Sequence, residues 1–337
     1  MRKRDSKIRN RLFRAGGTAA LAVLLLCGLG GCAGKGAETE QEDGKISVVT
    51  TIFPQYDFVR QIAGDNVDLK MLLKPGEETH SYEPTPQDII AIQKSDVFIY
   101  VGGENDAWVE DILESMPEDD RVTLKLLDCV DTVEEEHVEG MQEAPGHTHD
   151  EAEEEEEHSV HEVDEHVWTD PENAEAITEQ IRQILVETDP EHADVYNENA
   201  EEYQAELEKL DEEFRDVVEH ADRNLVIFGD RFPFRYFADA YGLDYYAAFP
   251  GCASDTEPSA ATMAFLINKV KEEKVPAILK MELSNENIAN AIAEATGTEV
   301  KIFYSCHNLT AEEFAAGETY LSMMQQNVET LKEVLDE

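Results

Sequence analysis

Between residues 131 and 166 the chain reads DTVEEEHVEGMQEAPGHTHDEAEEEEEHSVHEVDEH, carboxylates and imidazoles with no apolar periodicity. A run of that kind buries too little apolar surface to offset the entropy of ordering it, so 131–165 is expected to be a disordered loop. Any core must be built from what lies on either side. Six of the ten histidines fall in the run: His137, His147, His149, His158, His161 and His166. Imidazole with carboxylate is the donor set of borderline divalent cations, zinc above all. The plainer alternative is a solvated acidic linker with incidental histidines; the density of His favours metal capture.

The flanks share one grammar, short apolar runs alternating with helical stretches. In the first flank the strands are expected at 46–52, 67–73, 96–102 and 122–127. Helices fall at 54–64, 85–95 and about 106–115. After residue 223 the pattern returns, with strands at 224–229, 243–249, 277–282 and 299–304. Helices there fall near 232–241, 258–274, 286–297 and from 317 on. Strand and helix in alternation mean parallel sheets covered by helices, hence an α/β chain with two Rossmann-like lobes, 45–130 and 223–337. Residues 166–222 link them. In that link Tyr196, Ala200, Tyr203, Leu207, Leu210, Phe214 and Val217 recur at steps of four and three, a single apolar stripe. One helix from 191 to 221 would reach about 45 Å and run down both lobes. Two separate helices within one lobe remain the alternative.

Net charge is −48, which argues against nucleic acid and suits attraction of cations. The N-terminus differs: Arg2, Lys3, Arg4, Lys7, Arg9, Arg11 and Arg14 precede an apolar stretch from Ala19 to Leu29, too short for a comfortable permanent span. Residues 1–31 therefore read as a signal segment. Leu29-Gly30-Gly31-Cys32 resembles a bacterial lipobox, which implies lipidation at Cys32 and a flexible tether over 32–44. The chain would then sit on the outer face of a bacterial cytoplasmic membrane, held through its lipid. Of the remaining cysteines, Cys252 and Cys306 both follow predicted strands and are the candidate disulfide; two ordinary buried thiols are nearly as acceptable.

Two segments carry a specific resemblance. PGEETHSYEPTPQD (75–88) and DEHVWTDPENA (164–174) resemble the first two ligand motifs of the zinc/manganese ABC-transporter solute-binding lipoproteins, the second directly after a His-rich acidic loop. FRYFADAYGL (234–243) and GETYLSMMQQN (317–327) support it. The likeness covers about residues 46–333. It implies two lobes joined by a rigid backbone helix, a metal cleft between them, and delivery of the ion to an ABC permease in the membrane, by a monomer that is not an enzyme. By motif position it implies His80 and His166 as ligands. The position of the third ligand falls on Arg231, and an arginine cannot ligate a cation. Its neighbour Asp230 is a substitute, or else pairs with Arg231 or caps the next helix. The fourth position falls on His307, with Glu282 at a strand end in reserve. A nitrogen-rich shell suits Zn2+ better than the alternative Mn2+.

Extracytoplasmic zinc capture for an importer is thus the expected function, with His137, His147, His149, His158 and His161 as an accessory metal loop. A surface adhesin or passive metal buffer fits the anchor and the loop. A zinc hydrolase is disfavoured by the lack of a helix-borne HExxH pair.

Overall fold

The apolar runs of the first flank become four short strands, and the pattern within each strand explains the layers. β1 (Ile46–Thr50) sends Val48 to one sheet face and Val49 to the other, and both are buried. β2 (Val67–Met71), β3 (Val97–Tyr100) and β4 (Val122–Lys125) pair with it in the all-parallel order β2-β1-β3-β4. The crossovers are α1 (Phe53–Ala63), α2 (Pro86–Lys94) and α3 (Ala107–Ser115). α2 begins where the sequence places a start signal: the Thr85 hydroxyl accepts from the Asp88 amide while the Asp88 carboxylate accepts from the Thr85 amide.

The second flank repeats the arrangement. β5 (Leu225–Phe232), β6 (Asp244–Pro250), β7 (Ala277–Lys280) and β8 (Glu299–Ile302) form a parallel sheet in the order β6-β5-β7-β8. Between them run α6 (Arg235–Tyr241), α7 (Ala260–Glu273) and α8 (Asn287–Thr296). Two short sheets of identical order, each with its strand order reversing between its central strands, put the ligand-binding crevice outside the carboxyl ends of those strands. After β8 come α9 (Ala311–Ala316) and α10 (Tyr320–Asp336). The sequence reading missed α9, although Thr310 and Glu313 form the same reciprocal cap as Thr85 and Asp88. The computed structural model describes residues 44–77, 82–117, 120–142, 163–253 and 257–336. The signal-like segment, Cys32, His80, His147, His149, His158 and His161 lie outside these.

The link consists of α4 (Pro171–Thr188) and α5 (Ala193–His220). α5 is one unbroken helix of 28 residues, about 42 Å at the usual rise, so the two-helix alternative for that stripe is set aside. Tyr196, Ala200, Tyr203, Leu207, Leu210 and Phe214 are all buried. They meet α1 of the first lobe, α10 and α6 of the second, and α4 alongside. One apolar cluster therefore runs from Val48 and Phe58 through Leu207 and Phe214 to Phe228, Phe237 and Leu331. The outer sheet faces have their own cores: Val49, Ile92, Phe98 and Val109 in the first lobe, Ile227, Leu266, Ile288 and Ile292 in the second.

The acidic run needs correcting at its first end. Residues 131–142 are not a disordered loop; they lie along the second lobe. The Val133 amide donates to the Tyr236 hydroxyl, the Glu135 carboxylate accepts from the Cys252 amide, and the Gln142 amide donates to the Ala248 carbonyl. Tyr245 hydroxyl and Arg235 both engage Glu136. Val133, Val138 and Met141 pack on the main core. Gly140, at φ +89°, lies so close to the Phe265 ring that a Cβ there would collide with it. Overall acidity hid these four positions.

Because α5 joins both lobes through buried side chains, truncating its middle should unfold the whole described unit. Leu207→Ala is expected to cost about 2–5 kcal/mol in urea or thermal unfolding, as one cooperative transition. Val195→Ala, at an exposed position of the same helix, should stay within about 0.5 kcal/mol. Two separate transitions in the Leu207 variant would contradict a shared core.

Candidate metal centre

His166 is held before any ion arrives. It precedes a short helical turn at Val167–Thr169 and the start of α4, which Asp170 caps through the Glu172 amide. The ring is fully buried. Asp164 Oδ1 accepts from the His166 amide at 2.9 Å and lies 3.0 Å from Nδ1. That contact places the proton on Nδ1 and directs Nε2 as the ligating nitrogen, the usual way a carboxylate orients a metal-binding imidazole. Burial alone would lower the His166 pKa, but the charge and hydrogen bond of Asp164, then Glu165 and Glu135, outweigh it and the net direction is upward.

His307 comes from the second lobe, in the stretch after β8. The two imidazole centroids are 5.3 Å apart with planes at 87°. Two imidazoles on one tetrahedral zinc, each with Zn–N near 2.0–2.1 Å, have centroids about 5 Å apart. Trp168 packs against both rings, at 5.5 Å and 5.0 Å. Its indole N–H donates to the Ser305 carbonyl, and its own carbonyl accepts from Tyr320. The indole thus pins the second motif to the strand exit that carries His307. Gly251 lets the lobes close on the ring: a Cβ there would lie 3.2 Å from His166 Cε1 and 2.9 Å from the Phe232 carbonyl oxygen.

A cavity of about 40 Å³ opens beside these rings, lined among others by Glu77, His166, Arg231, Glu282, His307 and Asn308. Glu282 follows β7, beside the reversal point of its sheet. Its carboxylate accepts from the Ser305 amide and hydroxyl, both at 2.7 Å. Burial pushes its pKa up to about 7, against the Ser305 bonds that pull it down. Leu283 and Cys306, the neighbours of Glu282 and His307, are non-glycine residues at φ +50° and +58°. Left-handed backbone at such residues costs about 1–3 kcal/mol each and gathers at functional sites.

The first-lobe loop is gripped from below. Asn308 donates to the carbonyls of Lys74 and Glu77, and the Gly76 amide donates to the Leu309 carbonyl. That grip brings the described part of the 75–88 motif to the cavity wall as far as Glu77. Among the described residues, no three His, Cys, Asp or Glu side chains already stand as a ligand group. The pair His166–His307 is formed, and Glu282 lines the same space while held by Ser305.

Several expected residues are placed elsewhere. Asp230 does not line the cavity. Its two oxygens accept from the amides of Arg231 and Met281, so it braces the ends of β5 and β7 and does not turn in as a ligand. Arg231 itself is in the wall. His137 is exposed on the docked stretch and does not reach the cavity. Cys252 and Cys306 are not bridged. Cys306 is buried with Glu282 and Asp57 as charged neighbours, Cys252 is half-buried beside Glu165, Asp164 and Glu135, and desolvation pushes both thiols up. Trp168, Asp164, Ser305, Asn308 and Gly251 were not singled out from the sequence. Asp164, two residues before His166, and Trp168, two after, had a legible signal in that spacing; Ser305 and Asn308 act only through the fold.

The family model described as zinc-uptake complex component A, periplasmic, matches residues 48–334. The high-affinity zinc uptake system protein ZnuA of Bacillus subtilis (strain 168) is 33% identical, over 94% of this chain and 95% of that protein. The zinc-binding lipoprotein AdcA of Streptococcus pneumoniae (strain R6) is 32% identical over 88% of this chain, which spans only 57% of that relative's length. The crystal structure of the Zn(II)-bound ZnuA-like domain of the pneumococcal AdcA superposes with a TM-score of 0.70 at 29% identity, covering 87% of this chain and all of that one.

The buried acids predict an unusual pH response. Burial pushes Asp106 and Glu282 up to about 7 and raises Asp57 and Glu165. An unfolded carboxylate titrates near 4, so from about pH 4 to about pH 7 the folded chain binds more protons than the unfolded one and its stability falls as pH rises. Acids with lowered pKa, such as Glu179 and Asp88, act below that window. The Tm of the metal-free chain is expected to drop between about pH 4 and about pH 7, and Glu282→Gln, with no charge to bury, to recover part of the drop. A Tm that rises across that interval would refute this reading.

Proposed function

We propose that this chain, which belongs to the zinc-uptake component A family, captures Zn2+ outside the cytoplasmic membrane and passes it to the permease of an ABC importer. The observation that carries the proposal is the meeting of His166, at the head of the link, and His307, from the second lobe, at the spacing of two imidazoles on one ion. His80, four residues beyond the gripped Gly76, supplies the third nitrogen, and Glu282 supplies oxygen. Three imidazoles favour zinc over manganese. The printed names of the relatives, a zinc-binding lipoprotein and a zinc uptake protein, point the same way. Cys32 carries the lipid that keeps the protein at the membrane, and the chain binds without catalysing a reaction. The histidines of 143–162 gather zinc weakly. The described flanks of that stretch support this role: Gln142 is tied to β6, and Val163 lies next to the Asp164 that orients His166.

Zinc titration calorimetry tests the assignment. The chain is expected to bind one ion tightly. His80→Ala with His166→Ala should abolish that site, and His166→Ala with His307→Ala should do the same. Asp164→Asn, which keeps every ligand, should weaken it by about 10–100-fold. Deletion of 143–162 should leave the tight site and remove only weak binding; the docked 131–142 is kept so that the second lobe is not stripped. Stoichiometric tight binding in either double variant would sink the ligand set. In cells, growth under zinc chelation should fail in a deletion strain and return with the wild-type gene alone.

A further inference from the structure

The residue between Asp164 and His166 is turned to the first lobe. Glu165 is only 6% exposed, and both of its oxygens accept from one residue there. The Asn105 backbone amide donates to one oxygen at 2.9 Å, and the Asn105 side-chain amide to the other at 2.8 Å. Asn105 lies in the loop between β3 and α3, at the carboxyl end of β3, where the strand order of the first sheet reverses. That loop is shaped for the contact. The Asp106 carboxylate turns back to accept from the Val101 and Gly102 amides. Gly102 and Gly103 stand at φ +95° and +84°, and a Cβ on Gly103 would collide with the Glu165 carboxylate. Glycine alone gives both the turn and the close approach.

Asp164, one residue earlier, is tied to the second lobe. Its carbonyl accepts from the Tyr236 hydroxyl of α6 at 2.8 Å, and its amide donates to the Val133 carbonyl of the docked stretch at 3.0 Å. The two residues that precede His166 therefore reach opposite lobes, and the buried imidazole follows directly from their junction. Glu165 does not line the metal cavity. We infer that Glu165 is a positioning residue for zinc. The Glu165–Asn105 pair ties the first lobe to the turn that carries His166, and it keeps the cleft from opening while an ion is bound. Asp164 sets the rotation of the ring; Glu165 sets where the backbone beneath the ring stands relative to the first lobe. This inference rests on the zinc reading of the site.

The test measures zinc affinity and zinc release on the purified full chain by competition with a chromophoric chelator, and uses Co2+ as a spectroscopic probe of the ligand shell. Glu165→Ala is expected to weaken zinc by about tenfold, the low end for groups that orient a ligand, with most of the change in faster release. The Co2+ bands should keep their energies, because no ligand is removed. Asn105→Ala leaves the backbone amide bond and should weaken zinc by less. It should add nothing in the Glu165→Ala background, because one pair carries both effects. Glu165→Gln keeps an oxygen for one Asn105 donor and should restore part of the affinity; a role through charge alone would leave it as weak as Glu165→Ala. Unfolding of the metal-free variants monitors the fold. If Glu165→Ala does not fold, the cycle runs on Glu165→Gln, where Asn105→Ala should cost less than in the wild type. Zinc affinity and release unchanged in the Glu165 variants, additive losses in the double variant, shifted Co2+ bands, or Glu165→Gln no better than Glu165→Ala overturns the inference. A wild type that binds no zinc would remove the functional reading first, and this one with it.

Discussion

Neither lobe can keep its inner sheet face dry alone. Val48 and Phe58 on one side, Phe228 and Phe237 on the other, are covered by the same stripe of α5, from Tyr196 to Phe214. A four-stranded sheet with one bare face would expose a large apolar surface, so the shared helix sets the distance between the lobes as a condition of folding. The cleft is the space left between two strand edges whose separation the core has already decided. Its chemistry is placed by packing, since the residues that hold the rings, Trp168 and Tyr320, belong to that core.

Around the cleft, partners limit the freedom of His166, of Glu282 and of the first-lobe loop as far as Glu77. Asp164 takes one side of His166, Ser305 takes Glu282, and Asn308 takes the loop that leads to His80. Locking rotamers in advance lowers the entropy lost when an ion binds. The left-handed Leu283 and Cys306 show that the same preparation has a local cost, which the surrounding core over-determines. Glu282 illustrates the balance. Burial works against its charge, the Ser305 bonds support it, and a cation in the cavity would tip it to the ionised form.

The architecture was legible because it rests on periodicity. Strand runs such as VFIY, the Thr85 start of α2, the Gly297 end of α8 and the four-three stripe of α5 all register in local order, and the element edges moved by only a few residues. Motif position singled out His166 and His307, and their rings do meet. What failed was decided by direction or distant contact. Asp230 and Arg231 are adjacent in sequence, yet one is turned to the backbone and the other to the cavity. Composition alone does not encode that turn. The docked 131–142 was misread because three apolar side chains, spaced irregularly among acids, bind to a surface that exists only after the second lobe has folded.

Acid and imidazole divide the work. A charge of −48 draws cations of every kind, and beyond a screening length of about 8 Å at physiological salt its pull is largely lost. Such a field raises the local concentration of ions without choosing among them. Choice requires donors that differ in softness, held at fixed spacing away from water. The two imidazoles that meet beside the cavity have such a spacing, 5.3 Å apart and one of them fully buried. The cleft therefore cannot tolerate loose order. The change from one regime to the other falls within a few residues, between Val163 and His166, where the chain passes from the acidic run into the buried core.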